Sequence, residues 1–190
     1  MRECGRGFLC TALFILGACG QDSAAFRVAN GADPSSLDPH LISSVAEGRV
    51  LSTLWAGLTR SDPTTLKVLP GLAESWESSP DGTTWTFHLR KDLLWSDGSS
   101  LTASDVEASW LRLQNPATGA PYQDWLAGAR FSSHPGEVRI QFPGPRPQFP
   151  AMCSWPALAP VPPNVRASEW KTSSSPWMAI SRPTSWLFIA

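Results

Sequence analysis

Two turn signals inside the stretch Leu72 to Val106 constrain this chain more than anything else in it: Ser79-Pro80-Asp81-Gly82 and Ser96-Asp97-Gly98. Proline presets φ at the first turn position, aspartate bonds its own backbone, and glycine accepts positive φ where the chain reverses. After the first turn, Trp85, Phe87 and Leu89 alternate with Thr84, Thr86, His88 and Arg90. That two-residue period predicts a strand with one buried and one wet face. The half-apolar segment before the turn is its hairpin partner, with Trp76 on the same side. Leu93-Leu94-Trp95 reads as a further short strand ended by the second turn. Thr102 then sits where a hydroxyl caps a helix, with Asp105 three residues on, favoured by the helix dipole. Val106, Trp110 and Leu113 recur at helical spacing until Asn115-Pro116 stops the helix.

Residues 1–18 read as a targeting segment: Arg2 and Arg6 precede the apolar run Phe8 to Leu16, and Leu16-Gly17-Ala18-Cys19 closes it like a lipobox. The run is too short to cross a bilayer unaided, so cleavage before Cys19 and lipidation of that cysteine is the expectation. Residues 19–25 form a polar tether. Phe26 to Asn30 reads as a first strand, and Gly31 to His40 as a loop punctuated by Pro34 and Pro39. Glu47 to Thr59 reads as a helix with Val50, Leu54 and Leu58 on one side. Asp62-Pro63 and Leu69-Pro70-Gly71 are turn signals that place a subdomain boundary near residue 61. Downstream, Ala120 to Ala129 reads as a weak helix and Glu137 to Phe142 as a strand with Val138, Ile140 and Phe142 inward. Of four cysteines, Cys4 and Cys10 leave with the signal and Cys19 takes lipid, so Cys153 has no partner for an intrachain disulfide.

Several function classes lose support. Lys+Arg is 15 against Asp+Glu 16, with no basic stripe for nucleic acid. His40, His88 and His134 are far apart and lack the spacing of a metal pair, and neither a nucleophile elbow nor a phosphate-cradling loop is present. His88 points outward on its strand; Asp92, Asp97 and Asp105 read as turn and cap residues, not a general acid/base pair. No catalytic, metal or cofactor-binding residue is therefore assigned. Ten tryptophans against one tyrosine raise a carbohydrate-binding module, but Trp76, Trp85, Trp95 and Trp110 fall where the pattern wants core residues.

Taken together, Gly71-Leu-Ala-Glu-Ser-Trp76, Ser79-Pro-Asp-Gly82, Trp85-Thr-Phe-His-Leu-Arg90, Trp95-Ser-Asp-Gly98 and Leu101-Thr-Ala-Ser-Asp-Val106 resemble the oligopeptide-binding lipoproteins of bacterial ABC transporters, family 5 of the extracellular solute-binding proteins. Leu37-Asp38-Pro39, the Pro-rich run Phe149 to Pro163 and Glu169-Trp170-Lys171 are similar to it too. The resemblance implies an α/β fold: the N-terminal part of a two-lobed, type II periplasmic-binding-protein architecture, with mixed sheets and flanking helices. It implies a start of lobe I at 26–60, an inserted subdomain at 61–150 and a return to lobe I at 151–170. By analogy Ala32, Asp33 and Pro34 lie on the ligand-facing loop, where main-chain groups pair with an extended peptide. The implied partners are an oligopeptide and the permease, the implied place is the cell envelope, and the implied role is capture and delivery without chemistry. The same family also takes nickel and sugar ligands. After Lys171 or Thr172 the quoted motifs stop, and the expectation for 171–190 is an aberrant tail from a frameshift, with the second lobe missing and binding impaired. A nonfunctional remnant is the alternative.

Overall fold

The computed structural model describes residues 30–162. Residues 26–29 of the expected first strand, Cys19 and residues 171–190 lie outside that range. At its centre the hairpin forms as the turn chemistry requires. Strand β3 (Ala73–Ser78) pairs antiparallel with β4 (Thr84–Leu89), with Trp76 opposite Phe87 and Ser78 opposite Trp85. Gly82 takes φ +68°, and the Asp81 carboxylate accepts from the Thr83 amide at 3.1 Å. The sheet continues through β6 (Glu137–Gln141) to β5 (Arg130–His134), giving four antiparallel strands in the order β3-β4-β6-β5. Strand β5 is not among the predicted strands: in Arg130-Phe-Ser-Ser-His134, Phe131 is the one apolar residue, so hydrophobic alternation gives no signal there.

Period-two patterning decides which face is covered. Phe87, Leu89, Val138 and Ile140 turn inward and are buried under helix α2 (Ala103–Gln114), which contributes Val106, Trp110 and Leu113. Trp110 is fully buried, its ring 5.9 Å from Phe149 and 6.4 Å from Phe87, both near edge-on. Its indole N–H donates to the Leu158 carbonyl at 3.2 Å, so the one polar atom of the largest core residue is satisfied. Trp76, Trp85 and Trp95 pack partly buried against the same core. The helix starts where the sequence places it: the Asp105 carboxylate accepts from the Thr102 amide and hydroxyl, both at 2.8 Å. Leu58, Phe149, Cys153 and Leu158 belong to this core as well, so it draws on residues on both sides of the central block.

Three expectations are corrected. Leu93-Leu94-Trp95 forms no strand: Leu94 makes a single bridge to Ser100 and is 62% exposed, because the Ser96–Gly98 turn closes at once on Trp95 and leaves no length for a ladder. Helix α1 runs Val45–Leu54, not Glu47 to Thr59, and buries Glu47, Gly48 and Leu51 while Leu54 is exposed. Leu58 lies beyond it. Thr59 instead opens strand β1 (Thr59–Ser61), which pairs with β2 (Val68–Pro70) in a separate two-stranded sheet. Gly57 fixes this exit: a Cβ there would stand 2.1 Å from the Cys153 carbonyl oxygen. Ala120 to Ala129 yields only a short 3-10 turn at Gln123–Leu126, since Gly119, Pro121 and Gly128 crowd it. The third α-helix among the described residues, α3 (Phe149–Met152), is one turn.

Candidate ligand-binding loop

The loop from Asn30 to Leu41 presents an exposed tip on a buried base. Gly31, Ala32 and Asp33 are exposed and Pro34 is half-buried, whereas Asp38, Pro39 and His40 are buried. Asn30 braces the tip through its side-chain amide, which donates to the carbonyls of Ala32 at 2.9 Å and Ala46 at 3.1 Å. Of the three residues expected to face ligand, Ala32 and Asp33 are exposed and Pro34 is half-buried beside them. His88 stands elsewhere, on the outer sheet face, with Nδ1 3.2 Å from Glu137 Oε1. His134 lies at the end of β5.

Two clamps hold the base. In the first, Ser44 caps α1 and Glu47 stands at the third helical position, closing a capping box. The Glu47 carboxylate gathers more than the box requires, accepting from the Ser35 amide (3.1 Å) and hydroxyl, the Ser43 amide (2.8 Å) and hydroxyl (3.0 Å), and the Ser44 amide (3.1 Å). These donors, the Ser35 hydroxyl foremost, hold its pKa down at about 2. The second clamp is a buried polar cluster. The Arg112 guanidinium grips Asp38 with both terminal nitrogens, Nη1 to Oδ1 at 3.2 Å, and Nη1 also reaches His40 Nδ1 at 2.6 Å. Because arginine can only donate, His40 Nδ1 accepts, and Nε2–H donates to the Ala159 carbonyl at 3.2 Å. Burial, then the Arg112 cation, lowers the His40 pKa to about 4. Asp38 has two roles: it accepts from the His40 amide at 3.0 Å and it anchors the ion pair with Arg112. The spacing Ser44 to Glu47 could have revealed the first clamp. Arg112 gave no local signal, since its partners lie more than 70 residues away.

Both clamps fix a charge state and so predict acid sensitivity. His40 is held below its ordinary 6.5, so an unfolded chain binds the extra proton first, and its contribution is full above pH 6.5 and lost as pH falls towards about 4. Glu47 is held below its ordinary 4.5, so its contribution is full above that pH and lost as pH falls through about 2. Urea midpoints measured from neutral pH down to pH 2.5 should fall in two steps. His40→Gln should remove the upper step and Glu47→Gln the lower; a profile unchanged in both variants contradicts the clamps.

A family model described as bacterial extracellular solute-binding proteins, family 5, middle region, matches residues 67–180, continuing past Lys171-Thr172, where the motifs quoted above stop. The periplasmic oligopeptide-binding protein OppA of Haemophilus influenzae is 52% identical over 98 residues, covering 52% of this chain and 18% of that protein. The crystal structure of Haemophilus influenzae OppA in complex with RPPGFSPFR superposes with a TM-score of 0.66 at 37% identity, over 70% of this chain and 29% of that one. NikZ from Campylobacter jejuni, solved in complex with Ni(L-His), gives a TM-score of 0.62 at 28% identity, over 69% of this chain and 26% of that one. The chain thus spans between 18% and 29% of the length of these two relatives.

Proposed function

The chain belongs to the family 5 bacterial extracellular solute-binding proteins and carries part of their type II binding-protein fold, and from that premise we propose that it serves in the capture of oligopeptides outside the cytoplasm for delivery to an ABC permease. Ala32, Asp33 and Pro34 present main-chain groups to an extended peptide, and Cys19 carries the lipid that keeps the chain at the membrane surface. What supports this reading above all is the loop itself: a tip exposed at Gly31 to Asp33, tied to α1 by two bonds from Ser35 to Glu47, on a base gripped by Arg112 at Asp38. Such a loop offers backbone donors and acceptors whose positions are set before ligand arrives, which lowers the ordering cost of binding. Main-chain pairing yields affinity with little dependence on peptide side chains. Peptide is favoured over chelated nickel because the described loop carries no imidazole on its exposed turn, His40 being wholly buried.

Calorimetric titration of the full chain with RPPGFSPFR and with shorter unrelated peptides tests it. Saturable but weak binding is expected, impaired by the missing second lobe, with each backbone N-methylation facing the loop weakening it several-fold further, since one such bond is worth ~1 kcal/mol. Binding of Ni(L-His) but of no peptide would reassign the ligand.

A further inference from the structure

We propose that Arg112 is the positioning residue of the ligand loop: its guanidinium, carried on α2, sets the loop's base at Asp38 and His40 and thereby where Ala32, Asp33 and Pro34 stand. The functional meaning of this role rests on the peptide-capture reading; the geometry does not.

The loop has attachments of unequal firmness. Glu47 ties it to α1, but α1 packs in a minor cluster of Ile42, Leu51 and Ala157 with Leu37, Trp55, Tyr122 and Trp155 at its edge. Helix α2, in contrast, is seated in the main core through Val106, Trp110 and Leu113, all fully buried. It is also pinned to the return segment, Trp110 donating to Leu158, and Ser109 accepting from the Val161 amide at 2.9 Å. Arg112 is the side chain of α2 that reaches from this firm body to the loop. The Asp38 it grips organises the next turn: the His40 amide donates to its carboxylate at 3.0 Å and the Leu41 amide to its carbonyl at 3.1 Å. His40 then passes the constraint to Ala159. One residue therefore registers three segments against each other. Only arginine suits the task, because its planar fork serves both carboxylate oxygens and a third acceptor at once, which the point charge of lysine cannot.

Native-state amide exchange on the full chain decides the matter without any ligand. In Arg112→Lys the amides of Asp38, His40 and Leu41 should exchange about ten- to a hundredfold faster, the loss of one or two charge-assisted bonds, while those of Phe87, Val138 and Ile140 change less than about twofold. Loop amides left unchanged, or loop and sheet amides accelerating together, overturn the proposal. Should Arg112→Lys fail to fold, Asp38→Asn, which keeps the shape and weakens the grip, is read by the same two criteria. Titration with RPPGFSPFR separates the two layers. A wild-type chain that takes up no peptide refutes the peptide reading alone, whereas wild-type binding with equal affinity in folded Arg112→Lys refutes the positioning role alone.

Discussion

Trp110→Ala should leave the chain largely unfolded or molten in water at room temperature, with near-ultraviolet dichroism lost and no cooperative urea transition. Trp110 has no exposed surface, and its ring lies 5.9 Å from Phe149, 5.8 Å from Phe131 and 6.4 Å from Phe87. Truncation removes the hub of that aromatic cluster and leaves a cavity between helix and sheet that neither can close, since both are held by their own hydrogen bonds. Such substitutions cost ~3–5 kcal/mol. The Leu158 carbonyl also loses its donor, adding ~1–3 kcal/mol for a buried acceptor left unpaired. Domain stabilities of ~5–15 kcal/mol leave little after that. Trp110→Phe keeps most of the packing and should remain folded. A Trp110→Ala chain with a urea midpoint close to wild type would mean that α2 does not seat on this sheet.

The second large effect is expected at the buried ion pair, and it is asymmetric. Arg112→Met should cost ~3–5 kcal/mol, because it strands the Asp38 carboxylate, which has no exposed surface, without its countercharge. Asp38→Asn should cost clearly less: the Arg112 side chain is 22% exposed, so its charge can turn to water, and asparagine still offers an oxygen to the His40 amide. Combining the two should recover part of the loss, giving a coupling of ~1–3 kcal/mol in a double-mutant cycle. Urea denaturation of the four proteins at neutral pH measures this. Equal costs for the two single changes, or strict additivity, would show that the pair is not the buried unit described here.

How much was readable depends on whether a feature's cause is local. The hairpin around Ser79–Gly82, the α2 start at Thr102 and Asp105, its stop at Asn115-Pro116 and the inward faces of β4 and β6 follow from turn dihedrals, caps and periodicity within a few residues. That Gly31 to His40 lacks a regular element up to Asp38 was legible too, since Pro34 and Pro39 punctuate it. Leu93-Leu94-Trp95 has the hydrophobicity of a strand but not its ladder; a strand needs a partner with free ladder positions, and the tight turn after Trp95 supplies one bridge. Strand β5 went unseen for the converse reason, its ladder coming from β6 and not from its own composition.

By itself, then, the sequence determined the family and the α/β class, through the ordered motifs from Gly71 to Val106, together with the expectation of lipidation at Cys19 and of a ligand loop at Ala32, Asp33 and Pro34. Tertiary structure alone decided that the loop is clamped from two sides, that Asp38 and His40 are buried against Arg112, and that β5 closes the sheet. Local signals arise from backbone dihedrals and side-chain periods that act over a few residues. A buried charge becomes tolerable only when folding brings its partner across more than 70 residues of chain, and nothing in the neighbourhood of Arg112 announces which acceptors will be there.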